Sequence, residues 1–391
     1  MIQRPPFYIN RPRREALDPV THANLGLRGH VEWQVREADG TITQRGERDN
    51  MILDQGLNML PDRWIADCFT ACCVGTGNSA PAAGQTGLDL EIARTNTYIT
   101  DPGACGSTLV DPVTWQMKRT FSFPVGALDS SRDGNYKEIG VSYTNTPGQN
   151  LFARTLFSSA DAPAELAITS TQSLWVVYTL TITCAPAAVT AGSINITGLG
   201  DLPYTHAIQD LRYCSGLAHD SLYWAIRGYT QGGIGFLAVN NCADADQYGG
   251  YAGKTSLSTT GDQYGGGPVG VLEPHRDSGY SFSINDSALS IDSPGTYSDT
   301  AAPANNFAAD PVYDAYVAGN FYQDRHFVLA ANQANFNLSR IHFGRSYTRT
   351  GTLNGLPFYF SFAYVLRFDN PIVKADTHTF EMVFRLSWGR A

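Results

Sequence analysis

Chemistry in a protein needs particular side chains at particular spacings, and this chain offers several partial matches. Gly249-Gly250-Tyr251-Ala252-Gly253-Lys254-Thr255 ends as a phosphate-binding loop does. The glycine required five residues before the last one is Tyr248, and no strand–helix pair flanks the stretch, so a P-loop is rejected. Asp244-Ala245-Asp246 opens like a calcium loop, but its fifth position is Tyr248 and its twelfth is Thr255 rather than Glu, so two ligands are lost. The eight histidines (His22, His30, His206, His219, His275, His326, His342, His378) show no paired spacing on one helix. No Gly-x-Ser-x-Gly elbow is present. The seven cysteines (Cys68, Cys72, Cys73, Cys105, Cys184, Cys214, Cys242) lack Cys-x-x-Cys spacing, and the odd count suits reduced thiols. These patterns predict no catalytic, cofactor or metal site.

Two groups of residues point instead to contact with partners. Asp246-Gln247-Tyr248-Gly249-Gly250 recurs sixteen residues later as Asp262-Gln263-Tyr264-Gly265-Gly266. Tyr248, Tyr251 and Tyr264, on glycine-rich loops, offer flat apolar faces with a hydroxyl, which suits a glycan or a protein surface. At the other end of the chain, Arg4, Arg11, Arg13 and Arg14 lie among four prolines in residues 1–19, where prolines bias the backbone toward extended conformations. This segment reads as an arm whose guanidinium groups fork onto carboxylates of another subunit.

The background composition fits such a role. The 391 residues carry a net charge of −9, and only 16% are charged. Of 27 basic residues four are lysine (Lys118, Lys137, Lys254, Lys374). An acidic chain so poor in lysine is a poor binder of phosphate backbones, so no direct nucleic-acid partner is expected. No apolar run approaches the roughly 20 residues of a membrane span, and no apolar stretch follows the N-terminal charges as in a signal peptide.

The elements that must position any site are mostly strands. Val31, Trp33 and Val35 alternate with polar residues, and Asp39-Gly40 supplies the turn of a hairpin that returns through Thr41-Ile42-Thr43. Leu174, Val176, Tyr178, Leu180 and Ile182 occupy every second position, as do Phe380, Met382, Phe384, Leu386 and Trp388, and period 2 means a strand with one buried face. The aromatics of 358–368 mark a third strand. Asp54 is placed to cap a short helix through Leu57, Leu60 and Ile65, which Pro61 interrupts, and Leu88 to Ile92 suits a second short helix.

An order of residues occurs twice. Arg119-Thr120-Phe121, Ser142-Tyr143-Thr144 and the strand at 174–182 are matched by Arg325-His326-Phe327, Ser346-Tyr347-Thr348 and the strand at 380–388. The spacing from Ser142 to Leu180 is 38 residues and that from Ser346 to Leu386 is 40. The expected architecture is therefore mainly β. It consists of an arm (1–19), a first antiparallel β-sandwich module of jelly-roll type (20–184), a linker rich in Ala, Gly, Pro and Thr (185–202), and a second related module with a long loop insertion (203–391), with a few short helices between strands.

The hairpin with Ala38-Asp39-Gly40 is followed by Asn50-Met51-Ile52-Leu53-Asp54-Gln55-Gly56-Leu57, by Val74-Gly75-Thr76-Gly77-Asn78-Ser79-Ala80-Pro81 and by Glu91-Ile92-Ala93-Arg94. With the closing Thr379–Arg390 stretch, this series resembles tail-associated structural proteins of tailed bacteriophages: fibres, fibre-anchoring adaptors or baseplate-type proteins. The likeness covers residues 25–184 and 370–391 and carries no catalytic residue. It implies an oligomeric, non-enzymatic virion component, assembled in the bacterial cytoplasm, whose partners are other tail proteins and copies of itself. The alternative is a receptor- or glycan-binding protein at a fibre tip, contacting the host through the tyrosine loops. A glycan-degrading tailspike would show a β-helix repeat of roughly 20–25 residues, which the sequence lacks.

Overall fold

The computed structural model describes residues 21–63, 65–100, 106–108, 113–157, 165–185, 189–196, 200–210, 281–285, 306–309, 312–344 and 362–391. The arm at 1–19, the tyrosine loops, Ser346-Tyr347-Thr348 and residues 358–361 of the third expected strand lie outside the described residues.

The protein is mainly β, and with a single exception its described strand pairs are antiparallel. Strands β1 (Thr21–Arg36) and β2 (Ile42–Ile52) form the expected hairpin. At its turn Gly40 takes a φ of 88°, where a side chain is disfavoured, and the Asp39 carboxylate accepts the Thr41 N–H at 2.8 Å. Helix α1 (Asp54–Met59) follows, then a 3-10 turn (Ile65–Phe69). Asp54 is not the cap expected of it. Leu53 occupies the N-cap position without a side-chain bond, and Asp54 is the first helical residue. The expected run through Ile65 stops at Met59, just ahead of Pro61, which has no N–H to continue it.

Strands β3 (Ala71–Gly75), β4 (Glu91–Thr95), β5 (Tyr98–Thr100), β6 (Gly106–Thr108), β7 (Val113–Phe123), β8 (Glu138–Ser142), β9 (Leu151–Leu156) and β10 (Ser173–Ala185) complete the first half, with one helical turn α2 (Ser130–Asp133). Glu91 and Ile92 are thus extended, not helical. The pairing runs β4-β3-β8-β9-β2-β1-β10-β7-β5. Only Asn96 and Thr97 separate β4 from β5, and the Thr97 carbonyl accepts the Ser122 N–H at 3.0 Å, so the path nearly closes into a barrel. Trp33, Phe69, Phe121, Phe152 and Tyr178 fill it, each 1% exposed or less.

In the second half, β11 (Thr190–Ile196) and β12 (Gly200–Asp210) form a hairpin within and beyond the stretch expected to be a linker. Then come β13 (Ser281–Asn285), β14 (Asn306–Ala309), β15 (Val312–Tyr313), β16 (Tyr322–Leu329), β17 (Asn337–Gly344), β18 (Phe362–Val373) and β19 (Phe380–Arg390). Six of them make a second sheet, β11-β12-β18-β17-β13-β14, whereas β15, β16 and β19 join the first.

That joint depends on the length of β1. Its residues 29–36 pair with β2; on the same edge, residues 21–27 pair with β19 in the single parallel ladder among the described residues. The last residues are anchored. Ala391 donates its N–H to the Leu27 carbonyl at 2.9 Å, Trp388 Nε1 donates to the Leu57 carbonyl at 3.0 Å, and Arg390 reaches the Ile52 carbonyl and the Asp54 carboxylate. One hydrophobic cluster runs through both sheets, from Trp33 and Tyr178 to Tyr364, Phe384 and Trp388.

Candidate functional site

The most organised polar feature of the described chain is built around residues 76–90, a connection with no regular structure that joins β3 to β4. Its anchor is a pair of charged side chains from neighbouring strands. Glu138 begins β8 and Arg154 lies in β9; both are fully buried, with Arg154 Nη2 donating to Glu138 Oε2 at 2.7 Å. Buried ions are tolerated only when paired and hydrogen-bonded throughout, and the loop supplies the partners. Glu138 accepts the backbone N–H groups of Gly77 (3.0 Å), Asp89 (3.0 Å) and Leu90 (2.8 Å). Arg154 donates to Gln85 Oε1 at 2.7 Å and to Asp89 Oδ2 at 2.9 Å.

Smaller contacts finish the loop. Asp89 accepts the Ser79 N–H at 2.9 Å, and Gln85 accepts the Ala82 N–H at 2.7 Å. Bonds from Ser79, joined by the guanidinium of Arg154, hold the Asp89 carboxyl below its ordinary range. The glycines are required by close approach. A Cβ on Gly75 would sit 2.2 Å from the Leu90 carbonyl oxygen, and one on Gly77 would sit 2.4 Å from Asp89 Cβ and 2.5 Å from Glu138 Oε1. With the N–H groups of Asp89 and Leu90 drawn onto Glu138, the chain enters β4 extended, so no helix forms at 88–92.

A second anchor lies on the next turn of the sheet. Arg94 forks onto Glu91 at 2.8 Å through both Nε and Nη2, and its Nη1 donates to Ser142 Oγ (2.9 Å), Asn150 Oδ1 (2.7 Å) and the Thr144 carbonyl (2.7 Å). This arrangement fixes the connection at 143–150. Cys72 and Cys73, in β3 between the two anchors, are free and fully buried, and burial pushes both thiols well above their ordinary range. The arrangement holds backbone in place; its carboxylates and guanidiniums are engaged with one another and with main-chain groups.

The residues expected to make contacts are not part of it. Arg4, Arg11, Arg13, Arg14, Tyr248, Tyr251 and Tyr264 all lie outside the described residues. The sequence reading missed Glu138, Arg154 and Arg94 as a set. The available signal was a charge set in an apolar strand: Glu138 before Ile139-Gly140-Val141, and Arg154 after Leu151-Phe152-Ala153. Among the described residues no group of three or more His, Cys, Asp or Glu is placed to hold a metal ion, and no helix is long and apolar enough to cross a membrane. Compared with known proteins, the chain matches no protein-family model, no curated protein and no solved structure.

Proposed function

We propose that the chain is a non-enzymatic structural protein of a bacteriophage tail, assembling the tail or anchoring its fibres, with other tail proteins and copies of itself as partners. One observation carries the reading. The residues that resemble tail proteins, Val74 to Pro81 and Glu91 to Arg94, are the ones that the Glu138–Arg154 and Arg94 anchors hold in a fixed shape, exposed at Asn78, Ser79, Ala80 and Ile92. Charge placed to fix the form of a surface connection suits a part that must fit other parts.

The proposal includes a duplication: two related β modules of jelly-roll type. Its support is topological. The order β1-β2-β9-β8-β3-β4 has the same succession as β11-β12-β18-β17-β13-β14 once the strands of the companion layer are set aside. In that layer β10 pairs with β7, and β19 with β16, both antiparallel. Buried Arg119 lies opposite Tyr178, and buried Arg325 lies opposite Phe384, at corresponding places in the two alternating strands.

The test is incorporation. A tagged chain should appear at fixed stoichiometry in purified particles by mass spectrometry, and in a cryo-EM map of the tail. A chain lacking residues 1–19 should keep its melting temperature but be missing from the particles. Absence of the full-length chain from purified particles refutes the reading. Release of reducing sugar from capsular polysaccharide, abolished by one carboxylate substitution, would show it to be an enzyme instead.

A further inference from the structure

The seam between the two sheets contains a histidine in a setting that opposes its protonation. His206, in β12, is 9% exposed and lies between Tyr204 on its own strand and Tyr364 on β18, with ring centroids 5.4 and 5.3 Å away. The Tyr364 hydroxyl is hydrogen-bonded to His206 Nδ1. Tyr364 in turn packs on Phe384 of β19, centroid to centroid 5.1 Å, so this small aromatic stack bridges the six-stranded sheet to the other one. Thr190 of β11 and Leu366 of β18 are the register partners of His206, and neither carries charge. Among the described residues the one charge acting on His206 is that of His22 on β1, which is of like sign when both rings are protonated. His22 is itself the register partner of Arg385 on β19, whose guanidinium is forked onto Asp324 at 2.7 Å.

We propose that this seam is an acid-sensitive joint: uptake of one proton by His206 loosens the packing of β12 and β18 against β1 and β19. In one tautomer the neutral ring accepts the Tyr364 O–H at Nδ1, and in the other its Nδ1–H donates to the Tyr364 oxygen. In either case proton uptake leaves both ring nitrogens as donors, so the ring can accept nothing from Tyr364, and it places a positive charge among the buried aromatic rings of the seam. Burial raises the pKa of Tyr364 well above its ordinary value, so the phenol keeps its proton and supplies no negative charge to offset the imidazolium. Burial, with His22 adding to it, lowers the affinity of His206 for the proton below the ordinary value of 6.5. The unfolded or opened chain therefore binds the proton more tightly. Stability from this site is complete above about pH 6.5 and declines as pH falls below it. The inference stands independently of the tail assignment.

Hydrogen–deuterium exchange on the full chain tests it, at pH 7.5 and stepwise down to 5.0, with rates corrected for intrinsic exchange. Amides of 204–207 and 364–368 should lose protection between pH 7.5 and 5.0 relative to those of β3 and β8. His206→Gln keeps an acceptor for Tyr364 and cannot titrate, so it should flatten the difference. His22→Gln removes the opposing charge and should move the midpoint of the loss to higher pH. Equal protection at both pH values in the parent chain overturns the proposal, as does an unchanged loss in His206→Gln. If that variant does not fold, an unmoved midpoint in His22→Gln overturns it.

Discussion

Residues 76–90 bury no side chain completely, whereas β19 buries Phe380, Met382, Val383, Phe384, Leu386 and Trp388. The first region has no ladder to follow and is fixed by a buried ion pair that collects N–H groups. The second has ladders on both edges and apolar side chains on its inner face, with Arg385 forked onto Asp324 and further polar bonds at its end. Apolar burial supplies area and is indifferent to fine geometry. Hydrogen-bonded charge adds little net stability but penalises every alternative shape. The molecule uses the first to hold its halves together and the second to define an exposed connection.

Breaking the ion pair from one side should have the largest effect. Arg154→Ala leaves Glu138 buried and uncompensated, and we expect a loss of about 3–5 kcal/mol in urea unfolding. The double variant Arg154→Met with Glu138→Leu should recover most of that loss while amide exchange in 76–90 accelerates. A double variant with an unaltered loop would show that the charges do not set its shape. Gly75→Ala, which forces a Cβ toward the Leu90 carbonyl, should cost about 1–3 kcal/mol.

At the other region, Trp388→Phe removes the N–H that reaches Leu57 and should lower stability by about 1 kcal/mol, read as a shift of the unfolding midpoint at constant slope. The smallest effect belongs to Asp89, which is partly exposed; Asp89→Asn should cost below about 1 kcal/mol. Its carboxyl is held below the unfolded value of 3.8, so its contribution is present above that pH and lost as pH falls through the folded value. Acid therefore acts in separate windows: below about pH 6.5 on the His206 seam, which meets β19 where Tyr364 packs on Phe384, and only near or below pH 4 on the loop.

The sequence alone determined the β class and the long strands, because period-2 alternation at 174–182 and 380–388 allows a single buried face. It determined the hairpin turn, because Asp39-Gly40 combines a local acceptor with a residue free to take positive φ. Tertiary structure decided what local pattern left open. Residues 88–92 carry helix-like spacing, yet Glu138, some fifty residues away, takes two of their N–H groups and straightens them. The Ala- and Gly-rich stretch after β10 reads as a linker, but it becomes a strand because β12 lies beside it. The placement of β19 beside β1 has no local signature at all. A parallel ladder between the two ends of a chain is set by which edge is open and which apolar faces need cover, and those are properties of the assembled sheets.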